Sequence, residues 1–243
     1  MEKAREKALE FNSVRRREIK IISVIREVVF GLEDGMISTL GVLVGIAIGT
    51  SDHFVIILSG LVVIVVESLS MGVGSYLSAK SVREIAELKI KEEEAEIKKY
   101  PEEEKQELVD ILIRDGWPKD FSSEMATVAS KSKPLLFREM AYRELYLHPE
   151  KLERPLLGGV FMFFSYVIGG TIPLLPYFIF SIPSAVFFSV GVTFIGLFAL
   201  GCATTKFTKR HWFKAGMEMF SIAGLAALVG YLVGMIANHF ILK

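Results

Sequence analysis

The chain reads as an all-α membrane protein, with five transmembrane helices and a helical bundle inserted between the second and third. Three observations lead there. Of 243 residues, 51% are hydrophobic and mean hydropathy is positive, which is unusual for a soluble domain. The apolar residues gather into five stretches, about 25–49, 54–78, 156–180, 183–204 and 215–241, each near the roughly 20 residues that cross a hydrocarbon core. The charges lie between these stretches, so a formal net charge of 0 says little about partners.

The N-terminal segment, 1–24, mixes acids and bases in "MEKAREKALEFNSVRRREIK" and lacks the order of a signal peptide, so it should remain in the mature protein. Arg15, Arg16 and Arg17 precede the first span, and Lys206, Lys209, Arg210 and Lys214 separate the fourth from the fifth. The connections at 50–53 and 181–183 contain no Lys or Arg. By the positive-inside rule the N-terminus is cytoplasmic and the C-terminus external or luminal. Spans one and two then fill 25–79, spans three to five fill 155–243, and the polar insert 80–154 is cytoplasmic.

"SVREIAELKIKEEEAEIKKY" follows the second span without Gly or Pro, which predicts one long helix running on into water. Pro101 ends it and opens "PEEEKQELVDILIRDG", which Gly116 can terminate. "FSSEMATVAS" and "PLLFREMAYRELYL" read as a short and a longer helix, completing a bundle.

Eleven acids stand against five lysines from Glu84 to Asp110, and such a run is commonly a solvated face. Register points elsewhere. Ala86, Ile90 and Ile97 form an apolar stripe in which Glu93 takes an apolar position, with Glu96 beside it; Glu104 and Glu107 run into Leu108 and Ile111. Carboxylates converging inside a bundle repel and lose hydration unless a cation joins them, which suits a divalent metal. Met140 and Glu144, at i and i+4, would add a thioether and another acid and favour a transition metal; Met140 alone would be core packing. The insert should lose metal near pH 4 to 5 as ordinary carboxylates protonate.

Glu33 and Asp34 lie inside the first span, where an ionisable group is a functional candidate unless it merely faces a water pocket. At about 1.5 Å per residue, Asp34 sits roughly 13 Å deep, Met71 roughly 10 Å and Glu67 roughly 16 Å, so the three meet at one level. Glu67 and Met71 share a face, and Glu27, two turns below Asp34, extends an acidic track. Gly31, Gly35, Gly41, Gly45 and Gly49 let the first span approach either the second span or the same span of another subunit, and Gly41 and Gly45 are expected at a dimer contact.

"FGLEDGMISTLGVLVGIAIG", then "SLSMGVGSYLSAKS", then an acidic insert closed by "REMAYRELYL", resembles the vacuolar iron transporter family, including its prokaryotic members. The resemblance implies a homodimer of five-span subunits that exports Fe²⁺ from the cytoplasm in exchange for protons, with a cytoplasmic helical domain collecting metal. The family's membrane aspartate and methionine fall on Asp34 and Met71, and its cytoplasmic glutamates on Glu93, Glu96, Glu104, Glu107 and Glu144. Its methionine pair falls on Met140 and Ala141, and Glu67 stands where a small residue is usual. Asp34 is then a pathway ligand and Glu33 a helper facing the adjacent helix.

The alternatives are a non-transporting metal sensor or store, and a Mn²⁺-preferring exporter of the same architecture. No His/Cys cluster, nucleophile motif or phosphate loop suggests an enzyme; His53, His148, His211 and His239 are scattered, and Cys202 is alone. "KFTKRHWFK" reads as a lipid-facing anchor rather than a nucleic-acid site.

Overall fold

The computed structural model describes residues 2–50, 52–147 and 154–241, with side chains for 24–240 of these; the side chains of Arg15, Arg16 and Arg17, and His148 altogether, lie outside the described residues. Helices follow one another as α1 Glu2–Gly49, α2 His53–Lys99, α3 Pro101–Arg114, α4 Lys119–Ser130, α5 Lys133–Arg143, α6 Pro155–Ile179, α7 Ser184–Thr208 and α8 Trp212–Ile241. Five of them, α1 from Val24, α2, α6, α7 and α8, are long and apolar enough to cross a membrane. The chain forms two compact units, 1–77 with 155–243, and 78–154.

In the first unit α1 packs on α6, α7 and α8. The boundary expected near 24 is no break in α1, because residues 2–30 contain neither Gly nor Pro. Within the chain the glycine seam packs on α6 and α8, neither of which its spacing offers as a partner. A Cβ on Gly35 would strike the carbonyl oxygen of Tyr166, and one on Gly31 would come within 2.9 Å of the Met162 carbonyl. Further along, Gly45 faces Gly230, while Cβ atoms on Gly230 and Gly234 would strike the carbonyls of Gly41 and Gly45. Backbones this close leave no room for side chains, which is why small residues fill both crossings.

The first half of α2 turns Ile56, Gly60, Ile64, Ser68 and Gly72 inward at four-residue spacing, with Gly72 against Gly159 of α6. The opposite α2 face, including Val62, Val65 and Leu69, is exposed and apolar, as a lipid-facing surface would be. Leu43, Ile56, Ile64, Leu174 and Tyr177 close the core between α1, α2 and α6.

The second unit is built on the end of α2 with α3, α4 and α5. Ile97, Leu108, Leu112, Ala126, Leu136 and Met140 belong to its apolar core. Gly116, at φ 97°, lets the chain leave α3 in the left-handed region that side chains disfavour. The helix expected to reach Leu147 stops at Arg143: Tyr146 is left-handed (φ 52°) and the Leu147 N–H turns back to the Ala141 carbonyl at 2.9 Å.

Candidate functional site

In the second unit the apolar stripe of α2 runs as its register requires. Ala86, Glu93 and Ile97 are buried and Ile90 is half-buried. Glu104, in the first turn of α3, is buried at the opening of the stripe that continues through Leu108 and Ile111. Glu144 follows α5, and its neighbour Arg143 pairs with Asp115 at 2.9 Å and Glu139 at 3.3 Å, tying the end of α5 to the end of α3. Three elements thus bring Glu93, Glu104 and Glu144 together, with one carboxylate oxygen of each within 4.8 Å of the others.

The trio is electrostatically frustrated. Glu93 Oε1 and Glu104 Oε2 are buried without a hydrogen-bond partner. Burial first, then the charges of Glu144 and Glu104, pushes the Glu93 carboxyl up to about 8. Burial and then Glu107 push Glu104 up to about 7. Glu144 is raised too, by burial and then by Glu107. Expected loss of metal near pH 4 to 5 therefore moves upward, toward the range where these carboxyls titrate. A group of this kind either keeps protons or exchanges them for a cation, and its oxygen donors suit a divalent ion.

Glu96 and Glu107 are exposed and stand outside the 4.8 Å group, close enough to act on it by charge. Met140 is fully buried as a member of the apolar core, the packing role weighed for it above, and Ala141 beside it is fully buried as well.

In the first unit α1, α2 and α6 bring four polar side chains together. Ser38 Oγ donates to Asp34 Oδ1 at 3.3 Å, one turn along α1. The fully buried Tyr166 of α6 donates its hydroxyl to Glu67 Oε2. Asp34 and Glu67 thus each hold one hydroxyl group and lie within electrostatic reach of one another. Met71 is half-buried one turn along α2 from Glu67. Glu67 and Ser38 also line an open, mostly apolar groove of about 920 Å³ running along α1 and α8.

Glu27 is buried and held by the Ser75 hydroxyl at 2.9 Å and by Arg26 at 2.8 Å. It joins α1 to α2 and already has a cation beside it, whereas among the described residues Asp34 and Glu67 have none. Glu33 is half-buried within electrostatic reach of Glu218 on α8, whose own partner is Arg210 at 3.0 Å. Sequence reasoning missed Tyr166, Ser38 and Glu218. An acid in the fifth span was a visible signal for Glu218, whereas a serine and a tyrosine among apolar residues announce nothing until their helices are packed.

Apolar helices long enough to cross a membrane and enclosing carboxylates, joined to a bundle with a second carboxylate group, have the make-up of a membrane protein that handles cations. The VIT family model matches residues 25–235, and the chain belongs to that family. It is 30% identical over 210 residues to Vacuolar iron transporter 1 of Oryza sativa subsp. japonica, covering 86% of this chain and 83% of the relative. Vacuolar iron transporter 1 of Arabidopsis thaliana is 28% identical over 219 residues (89% and 87% covered). The Vacuolar iron transporter of Plasmodium falciparum (isolate 3D7) is 27% identical over 229 residues (88% and 82%).

Proposed function

We propose that the chain exports a divalent transition metal, Fe²⁺ foremost, from the cytoplasm in exchange for protons. The observation that carries this is the pair of membrane acids, Asp34 bonded by Ser38 and Glu67 bonded by Tyr166, close enough to act on one another by charge. An empty carboxylate in an apolar setting favours its protonated form, and a metal favours the anion, so both compete for one group. Ser38 and Tyr166 each hold one of the two acids in place through a hydrogen bond.

In this reading residues 80–154 are a cytoplasmic collecting domain, where Glu93, Glu104 and Glu144 hold metal directly and Glu96 and Glu107 draw it in from the rim. Oxygen donors suit Fe²⁺ and Mn²⁺ alike, so selectivity for the softer ions falls to the Met71 thioether in the span. The open groove between α1 and α8 is the surface offered to a second subunit, which makes the working form a homodimer with a cytoplasmic N-terminus.

The test is metal uptake into vesicles holding purified protein, with Fe²⁺, Mn²⁺, Co²⁺ and Zn²⁺ in turn and a pH probe inside. Metal entry accompanied by counter-movement of protons, fastest with Fe²⁺, is expected. Metal binding without flux would make the protein a sensor or store, and flux without proton movement would make it a channel.

A further inference from the structure

Nine consecutive residues, Lys206 to Lys214, cover the end of α7, the three-residue connection and the start of α8, and every one of them is exposed. Four are basic: Lys206, Lys209, Arg210 and Lys214. Three are large aromatics left open to the surroundings, Phe207 at 65%, Trp212 at 56% and Phe213 at 50%.

The stretch is not a loose loop. The chain leaves α7 through Lys209 in the left-handed region (φ 53°), its N–H bonded to the Thr205 carbonyl at 2.9 Å. The Cys202 thiol lies 3.6 Å from the Trp212 carbonyl. Immediately behind, a Cβ on Gly201 would fall 2.5 Å from the Ala215 carbonyl, so the two helices touch backbone to backbone. The Phe198 ring meets Trp212 and Phe213 edge-on, at 6.3 Å in each case, and His211 stacks on Trp212. With the space behind them filled, the rings have no inward site, and the basic groups are displayed around them.

The charges are unbalanced as well. Among the described residues Lys206, Lys209 and Lys214 have no carboxylate partner, and Arg210 shares one exposed acid, Glu218, at 3.0 Å. Exposed Trp and Phe between two apolar spans belong at the level of lipid headgroups. Neutral headgroups would satisfy the rings but leave the cations uncompensated. The missing component is an anion at headgroup depth, and in a bilayer that anion is a phosphate on a lipid with net negative charge.

We propose that the connection between α7 and α8 is a binding site for anionic phospholipid. Lys206, Lys209, Arg210 and Lys214 take the phosphate oxygens while Phe207, Trp212 and Phe213 enter the interface beside the acyl chains. The proposal rests on α7 and α8 being membrane spans, and its test separates the two.

The protein has two tryptophans, so the full chain carrying Trp117→Phe reports from Trp212 alone. It is placed in phosphatidylcholine vesicles containing a minority of phosphatidylglycerol. In one set the phosphatidylglycerol carries bromine, and in the other an equal amount of the phosphatidylcholine does. Quenching by the brominated anionic lipid should be steeper by about fivefold, the enrichment that roughly one well-placed cation confers near a surface. The preference should vanish when Lys206→Gln, Lys209→Gln, Arg210→Gln and Lys214→Gln are combined, and survive Lys206→Arg, Lys209→Arg and Lys214→Arg.

Equal quenching by both lipids in the parent overturns the anionic site and leaves the spans intact, whereas no quenching by either removes Trp212 from the bilayer and the span reading with it. A preference that persists after neutralisation overturns the assignment to these residues. A preference abolished by inorganic phosphate at constant ionic strength would show a site for free phosphate, and would overturn the lipid proposal. Should the fourfold variant fail to insert, Lys209→Gln and Lys214→Gln are each expected to weaken the preference separately, and no change in either counts against the site.

Discussion

Glu93 is almost fully buried, has a carboxylate oxygen without a hydrogen-bond partner, and faces two further glutamates. Its carboxyl is raised from 4.5 to about 8, and that of Glu104 from 4.5 to about 7. Raised values in the folded state mean that the fold favours the protonated forms. Their contribution to stability is therefore complete below about 4.5 and disappears as pH climbs through about 7 to about 8. Melting curves of the metal-free full chain should show stability falling across this window, while stabilisation by added Fe²⁺ or Mn²⁺ grows, since metal needs the deprotonated groups. Glu93→Gln should flatten both trends, and metal-free stability that rises over the window would contradict this reading of the trio. In the other unit, Tyr166→Phe removes one hydroxyl and little volume. Metal-driven proton movement in vesicles should fall at least severalfold with the protein still folded, whereas unchanged proton movement would show that the Tyr166 bond to Glu67 plays no part in the exchange.

Among the helices, the placement of glycine makes the sharpest distinction. Gly35 and Gly45 lie on backbone-to-backbone crossings with α6 and α8, while a Cβ on Gly74 would meet nothing within 4 Å. Overpacking typically costs about 1–3 kcal/mol, so Gly35→Leu and Gly45→Leu should lower thermal stability in detergent, and Gly74→Leu should leave it unchanged or slightly raised. A Gly45→Leu protein as stable as the parent would contradict the α1–α8 crossing. Spacing alone revealed that α1 would be approached closely, because small residues recur on one face. It could not name α6 and α8, because a stripe of glycines carries no record of its partner. The end of α5 was hidden for a similar reason: "REMAYRELYL" has no Gly or Pro, and the turn at Tyr146 has no local signal. Continuation of α2 to Lys99, the proline start of α3 and the glycine stop at Gly116 were all legible, because each rests on the chemistry of one or two local residues.

Across the protein as a whole, two separate groups of acids, one between apolar helices and one inside a bundle, suit a division between moving metal and gathering it. Much of the bundle site could be read from register, since Glu93 interrupts an apolar stripe. The trio of Glu93, Glu104 and the half-buried Glu144 differs from the five expected glutamates because Glu96 and Glu107 lie on outer faces, and only packing decides which acid of an i, i+3 pair turns inward. The hydrogen bond on Glu67 comes from a tyrosine about a hundred residues away, reached when α6 crosses α1 and α2. In the proposed exchange of metal for protons, Asp34 is the deciding group. Vesicles holding Asp34→Asn, which keeps the shape and removes the charge and the titration, should be compared with the parent for Fe²⁺ entry and internal pH. Loss of metal flux and metal-driven proton flux together, in a protein that remains folded, is the predicted result. Near-normal metal flux in Asp34→Asn would contradict it.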